Sequence, residues 1–94
     1  IMEEKISLVF QWLKKFDIQP RSQINRRFTS YGLKHVVEEH CKKYIPEEAF
    51  VEAMQRAGFK RRKVRGTSGT YRFNISTFDL LYMSNRYNWF NPKH

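Results

Sequence analysis

The feature that most constrains the fold is a change of periodicity after Gly58. Up to that residue, apolar side chains recur at three- and four-residue intervals, which is the spacing of amphipathic helices. Beyond it, two short arms, residues 59–65 and 70–75, flank a glycine-containing turn at residues 66–69. Two extended arms joined by such a turn are typical of a β-hairpin. We therefore expect a helical segment followed by a hairpin.

Three helices are expected before the hairpin. The first covers roughly residues 3–16, and the second starts after Thr29 or Ser30, either of which can cap a helix. The third has Pro46 near its first turn and ends at Gly58. The residues expected to face inward are Ile6, Val9, Phe10, Leu13 and Phe16 in the first helix, Leu33, Val36, Val37 and Cys41 in the second, and Phe50, Met54 and Ala57 in the third.

The second arm of the hairpin alternates as a half-buried strand does, and a short helix is expected after it. Ser76 and Asp79 form a possible capping box for that helix. The two faces of the arm are Tyr71, Phe73 and Ile75, and Thr70, Arg72 and Asn74. The last helix carries Phe78, Leu81 and Tyr82, and the aromatic tail comprises Tyr87, Trp89 and Phe90.

This order of elements predicts an α+β fold, a winged helix-turn-helix with three helices, a basic β-hairpin wing and a short C-terminal helix. The 94 residues have room for one hydrophobic core, so we expect a single domain over residues 1–94. Because the chain begins Ile1-Met2, we also expect it to be a fragment of something longer.

The net charge of +9 favours a polyanionic partner, and most of it lies in one block. Residues 53–78 contain seven Lys and Arg residues and no acid, and residues 18–37 contain four and no acid. Residues 38–52, in contrast, hold five glutamates against two lysines. Any nucleic-acid contact is therefore expected at the hairpin and at the start of the second helix.

The hairpin is the first candidate phosphate-binding site. Its first arm concentrates cations whose mutual repulsion opposes folding unless a polyanion or solvent screens it. The glycines of the turn also let small hydroxyl side chains approach a phosphate or a minor groove. The alternative is an edge strand whose lysines discourage aggregation. The candidate residues are Lys60, Arg61, Arg62, Lys63, Arg65, Thr67, Ser68 and Arg72.

A second candidate site opens the second helix, where backbone N–H groups, hydroxyls and guanidinium groups are combined. The alternative there is a capped helix start whose arginines pair with Glu38 or Glu39.

The third helix leaves two interpretations open, because its exposed face is mainly acidic: either its start reads bases, or the wing dominates binding. The candidates are Asn25, Arg26, Arg27, Thr29, Ser30, Tyr31 and Lys34 in the second helix region, and Gln55 and Arg56 in the third helix.

Other function classes receive little support. No phosphate loop, nucleophile elbow, His-based triad or paired carboxylates in a plausible cleft is present, so we expect no enzyme activity and no cofactor. Three possible ligands, His35, His40 and Cys41, do not have a familiar zinc spacing, so no metal is expected. A single cysteine, no membrane span and no signal peptide favour a cytoplasmic protein without membrane attachment.

Three short motifs carry a resemblance over roughly residues 28–75: Ser30-Tyr-Gly-Leu-Lys-His35, Tyr44-Ile-Pro-Glu-Glu-Ala-Phe50 and Ala57-Gly-Phe-Lys60. They resemble winged-helix domains attached to phage and mobile-element replication proteins, including primase or helicase initiators. The resemblance implies DNA recognition for replication, of an origin or another duplex, with the remainder of a larger replication protein as a partner.

Two other partners stay open. A winged helix can also mediate assembly, and in that case the acidic third helix and the aromatic tail would form the docking surface. RNA and single-stranded DNA are compatible with the same charge and aromatic content, since aromatic side chains can stack on unpaired bases.

Overall fold

The structure is a computed structural model that describes residues 2–77 and 79–80. Three helices are followed along the chain by one antiparallel hairpin, which confirms the predicted α+β order and is compatible with a winged helix. The elements are α1 (Met2–Lys15), α2 (Ser30–Cys41), α3 (Glu47–Arg56), β1 (Arg61–Lys63) and β2 (Tyr71–Phe73).

The core lies between the three helices and one face of the hairpin. Its aromatic residues form a continuous series: the ring centroids of Trp12 in α1 and Phe50 in α3 are 6.3 Å apart, and those of Phe50 and Phe73 in β2 are 5.9 Å apart. All three side chains are fully buried. Buried aromatic pairs contribute large apolar areas and prefer such tilted geometries. Phe73 therefore fixes the hairpin to the helices.

Two expected core residues are exposed. Phe10, predicted to face inward, lies at the edge of the α1 stripe with 37% of its surface exposed, and Trp12 takes the buried position instead. On α1, Ile6 and Val9 are buried as predicted, and Trp12 continues that row at the same three-residue interval. Ala57 is also exposed, because α3 ends at Arg56 and Ala57 is its C-cap.

The α2 and α3 boundaries follow local chemistry. Thr29 is the N-cap of α2, and its Oγ1 accepts a hydrogen bond from the Gly32 N–H at 3.5 Å, which agrees with the predicted start. Pro46 is the N-cap of α3. Gly58 follows α3 with a φ of 93°, a left-handed value that favours glycine. A short connection, residues 42–46, joins α2 to α3.

Of the capping box predicted for the last helix, the hydrogen bond to the Ser76 hydroxyl is present, and the Asp79 carboxylate pairs with Arg21. The Asp79 N–H donates to Ser76 Oγ at 3.3 Å, and the Leu80 N–H donates to the Ser76 carbonyl at 3.2 Å. The other residues predicted for this region, Phe78, Leu81, Tyr82, Tyr87, Trp89 and Phe90, lie outside the described residues. In the part of the chain that the structure describes, none of the helices has the length and apolar character needed to cross a membrane.

Candidate functional site

The hairpin has two chemically different faces. Phe73 is buried against Phe50, so we call the side that carries Phe73 the inner face and the opposite side the outer face. Residues directly opposite on paired strands share a face, and successive residues alternate. Arg61 is opposite Phe73, and Arg62 is opposite Arg72. Lys63 is opposite Tyr71. The inner face therefore carries Arg61 and Lys63, and the outer face carries Arg62 and Arg72.

The cations of the first arm are exposed and unpaired. No ion pair among the described residues includes any of them. Arg61 is partly engaged, because its guanidinium lies 4.2 Å from the centroid of the Tyr71 ring. The five exposed cations are Lys60, Arg61, Arg62, Lys63 and Arg65.

The outer face is joined to the loop that precedes α2. Arg72 Nη1 donates a 2.6 Å hydrogen bond to the carbonyl oxygen of Arg26. Arg26 and Arg62 also line one open cleft of about 410 Å³, whose other walls are the loop residues 22–24. The structure therefore brings together three arginines that the sequence analysis assigned to two separate sites.

Asn25 holds this loop in place. Its side-chain Nδ2 donates to the Ile75 carbonyl at 2.9 Å and to Thr77 Oγ1 at 2.7 Å. Its Oδ1 accepts from the N–H groups of Arg27 and Phe28 at 2.7 and 3.1 Å. Only 8% of Asn25 is exposed, so the side chain has a structural role in this fold, and its contact with phosphate stays a prediction.

A second asparagine, Asn74, connects the hairpin to the same loop. Asn74 Oδ1 accepts from the Lys60 N–H at 2.7 Å, and Nδ2 donates to the Arg21 carbonyl at 2.8 Å. The strand alternation predicted a solvent-facing Asn74, but only 4% of it is exposed, because β2 ends at Phe73 and the alternation ends with it. The signal in the sequence was the side-chain amide, which can both donate to and accept from backbone groups and so can join two segments.

Ser30 was predicted to contact phosphate, and the structure gives it another role. Its hydroxyl donates to Glu47 Oε2 at 2.6 Å and accepts from the Tyr71 N–H at 2.9 Å. The side chain is fully buried. A hydroxyl has one proton to donate, so Ser30 has none left for a phosphate oxygen. It joins the starts of α2 and α3 to β2.

Lys34, the other predicted contact on α2, is also used internally. Its Nζ pairs with Glu38 Oε2 at 3.0 Å and lies 4.7 Å from the centroid of the Tyr44 ring. Burial acts to raise the pKa of Glu38, but hydrogen bonds from the Ile45 N–H and from Lys34 outweigh it, so the pKa lies below its ordinary value. With 5% of its surface exposed and its Nζ paired with Glu38, Lys34 leaves little surface for a ligand, and its contact with nucleic acid stays a prediction.

The remaining α2 candidates stay accessible. Arg26 and Arg27 are exposed and form no ion pair with any described carboxylate, unlike the alternative in which they pair with glutamates of α2. Arg27 lies 5.5 Å from the centroid of the Phe28 ring. Tyr31 is 56% exposed. Thr29 is partly exposed, and its hydroxyl oxygen serves as the cap of α2.

Arg56 on α3 is committed to carboxylates. Its two Nη atoms donate to the Glu3 carboxylate at 3.0 and 2.9 Å, and its Nε donates to Glu52 at 2.9 Å. These bonds raise the pKa of Arg56 and lower that of Glu3. The predicted base contact by Arg56 is therefore opposed by an internal role that ties α1 to α3. Gln55 is exposed beside an exposed glutamate, Glu48.

The hairpin turn supplies one accessible hydroxyl rather than two. Thr67 Oγ1 donates to the Val64 carbonyl at 2.7 Å, which closes the turn and uses its proton. Ser68 is exposed. Gly66 has a φ of 82°, so the turn needs glycine at this position.

No group of three His, Cys, Asp or Glu side chains within the described residues could hold a metal ion. His35 Nδ1 lies 2.8 Å from Glu38 Oε1, and the ring of His40 packs edge-on against Phe16. Burial, assisted by the charge of Lys15, lowers the pKa of His40.

Comparisons of the chain with protein-family models, with curated proteins and with solved structures give no significant match. What the site can do therefore follows from its own geometry.

Proposed function

We propose that this chain is a winged helix-turn-helix module that binds duplex DNA, with the hairpin as its wing, and that it serves a larger replication protein of a phage or mobile element. In this proposal the chain is not an enzyme. The α2–α3 pair is the helix-turn-helix, and the wing and the loop before α2 supply the phosphate contacts.

The backbone pairing supports the wing assignment. A segment without regular secondary structure is hydrogen-bonded to the end of β2: the Arg21 N–H donates to the Asn74 carbonyl, and the Asn25 N–H donates to the Phe73 carbonyl, both at 2.8 Å. The segment comes between α1 and α2 in the chain. A wing that is backed by such a segment presents its cations from a fixed platform, which suits binding.

One observation carries the DNA proposal: the hairpin holds five exposed cations that pair with no described carboxylate, whereas the cations of α2 and α3 nearby are paired. Unpaired like charges on one strand repel each other, so the arrangement is unfavourable for the isolated domain. Neutralising phosphates with such side chains releases counterions, which is the main source of affinity for a duplex. A two-stranded ribbon also fits the major groove.

The test is fluorescence anisotropy with labelled duplex and single-stranded DNA over a salt series. The variant K60A/R61A/R62A/K63A should lose at least about tenfold in duplex affinity and show a shallower salt dependence. A matched control, K5A/K14A/K15A/K43A, removes the same charge from the α1 surface and the α2–α3 connection and should lose much less. Negligible duplex binding by the unmodified chain, or equal losses in both variants, would contradict the proposal.

A protein-docking role is the second candidate, and one observation favours it. A groove between α3 and the inner face of the hairpin is lined by Glu48, Glu52, Gln55 and Arg61, a mixture of charges that suits a polypeptide better than a phosphate backbone. If the DNA experiment fails, this groove is the surface to test with E48K and E52K variants.

A further inference from the structure

The outer face of the hairpin contains an unusual like-charge pair. Arg62 and Arg72 are directly opposite each other on neighbouring strands, where their side chains extend from the same face. Arg26 joins them from the loop, through its carbonyl bond to Arg72 and through the cleft that it shares with Arg62. No carboxylate in the described part of the chain pairs with any of the three.

The donors of this cluster are largely unused. A guanidinium group has five N–H donors in a planar fork, and Arg72 uses Nη1 on the Arg26 carbonyl. Arg62 has no hydrogen bond to another described side chain. Ser22 and Gln23, both exposed, line the same cleft and add neutral donors. An anion with several oxygens matches this set of donors, and a guanidinium fork can bind two oxygens of one phosphate.

We propose that the cleft lined by Arg26, Arg62 and residues 22–24, with Arg72 beside it, binds one phosphate group, so that the nucleic-acid backbone crosses the outer face of the hairpin, away from α3. This inference rests on the proposed DNA-binding function and specifies where the backbone lies. It favours the interpretation in which the wing dominates binding over the one in which the start of α3 reads bases.

The inner side is the less suitable path for a polyanion. There the Arg61 guanidinium lies over the Tyr71 ring, and Glu48 and Glu52 of α3 line the same groove. A phosphate in that groove lies beside Glu48 and beside Glu52, which Arg56 already pairs, whereas a phosphate on the outer face lies beside three arginines without a described carboxylate partner.

The platform under the cleft is fixed before a ligand arrives. The Asn25 side chain holds the loop on one side of Arg26, and Asn74 binds both the loop and the first hairpin arm. Both asparagines are buried. A preformed backbone leaves only the arginine side chains to order on binding, which lowers the entropic penalty.

The decisive experiment compares neighbouring residues on opposite faces while keeping the charge constant. R62K retains the charge of the outer face but removes the fork, and R61K does the same on the inner face. We expect R62K to weaken duplex binding about tenfold and R61K about twofold or less, measured by anisotropy at one salt concentration. Thermal unfolding of both variants checks that each is folded.

A second measurement needs no variant. Inorganic pyrophosphate is titrated into the isotopically labelled chain, and amide chemical shifts are followed by NMR. Saturable shifts at residues 22–26, Arg62 and Arg72 are expected. Shifts spread evenly over all cations, or centred on the groove beside α3, would overturn the proposed cleft.

The outcomes separate the inference from the function on which it rests. If the duplex binds but R62K and wild type bind equally, the cleft is wrong and the DNA-binding function stands. If pyrophosphate occupies the cleft but neither duplex nor single-stranded DNA binds, the anion site stands and the DNA-binding function is wrong. If neither ligand binds, both proposals are wrong.

Discussion

Helix α3 and the hairpin lie side by side, yet the basic side chain of α3 is paired with carboxylates and those of the hairpin are not. On α3, Arg56 pairs with Glu3 and Glu52, and the Glu47 carboxylate accepts the Ser30 hydroxyl proton. On the hairpin, the exposed cations have no described carboxylate partner. Paired charges on α3 help to hold helices together, whereas the unpaired charges of the hairpin remain available to a ligand.

The difference also shows what orders each region. The α3 surface uses ions, whereas the loop before α2 and the hairpin are held mainly by neutral groups, the side-chain amides of Asn25 and Asn74. Buried neutral hydrogen bonds order the backbone without consuming any cation. The total charge of a surface therefore does not identify it as a binding surface. What matters is whether its cations are paired with carboxylates of the same chain.

The largest expected effect is on stability, when the side-chain amide of Asn74, which joins the hairpin to the loop before α2, is removed. Asn74→Ala leaves the Lys60 N–H and the Arg21 carbonyl without their partner, so we expect a loss of about 3 kcal/mol in the free energy of unfolding. Urea denaturation followed by circular dichroism measures it. Gln23→Ala, which truncates an exposed amide in the same loop, is the control and should change stability by less than about 0.5 kcal/mol.

Ser30→Ala should have the next largest effect. The substitution removes the partner of the Tyr71 N–H and of the Glu47 carboxylate, and we expect about 2 kcal/mol of destabilisation. Ser68→Ala removes an exposed hydroxyl in the hairpin turn and serves as the control in the same thermal or urea unfolding series. Equal stabilities for the two variants would show that Ser30 does not join α2 and α3 to the hairpin.

The hairpin should respond in the opposite direction when a cation is removed. Arg62→Thr relieves the repulsion with Arg72 and introduces a residue with good strand propensity, so we expect a gain of about 0.5 kcal/mol at low salt. The gain should shrink in high salt, where repulsion is screened. Unfolding at two salt concentrations measures this, and a clear loss of stability would mean that Arg62 has a structural role.

Removing Arg56, the cation of α3 that pairs with two carboxylates, should have only a small effect on duplex affinity. Arg56 is already neutralised by two carboxylates, so Arg56→Ala should change duplex affinity by about twofold or less. The comparison variant is Arg62→Ala, which deletes one unpaired arginine and should weaken binding more. Anisotropy under identical salt conditions compares them, and similar losses would erase the distinction between α3 and the hairpin.

The smallest expected effect is on the pH dependence of stability, through the ion pair between Glu3 of α1 and Arg56 of α3. Because the pKa of Glu3 is lowered in the folded chain, mainly by the Arg56 hydrogen bond, the unfolded chain binds the proton more readily. The stability from this pair is present above pH 4.5, the ordinary pKa of Glu3, and is lost as the pH falls through the folded value. Glu3→Gln should flatten the acid side of a thermal unfolding series, and an unchanged slope would count against the pair.

The sequence was a good guide wherever local spacing determines structure. The helix periodicity, the Thr29 cap and the position of the hairpin are all local patterns, and the structure agrees with them. Trp12 was missed because the flanking Phe10 fits the stripe almost as well.

The contacts that decide which polar side chains are free to bind a ligand join residues far apart in the chain, so the spacing of residues in the sequence does not reveal them. Ser30 and the Tyr71 N–H are 41 residues apart in the chain, and Arg56 and Glu3 are 53 apart. Sequence reasoning found the cations but could not tell that Lys34 and Arg56 would be paired while Arg26 and Arg62 would be free of carboxylates. Partner assignment requires the tertiary fold.

The neutral hydrogen bonds of Asn25 and Asn74 have a consequence for how this surface can change over generations. Arg72 adds one bond to the Arg26 carbonyl, and Arg21 pairs with Asp79, but the two asparagines hold the rest of this backbone platform. Single substitutions among the other exposed cations therefore leave the fold in place. The surface is therefore highly evolvable: its charge and shape can be adjusted residue by residue toward a new anionic target, while the two asparagines keep the scaffold constant.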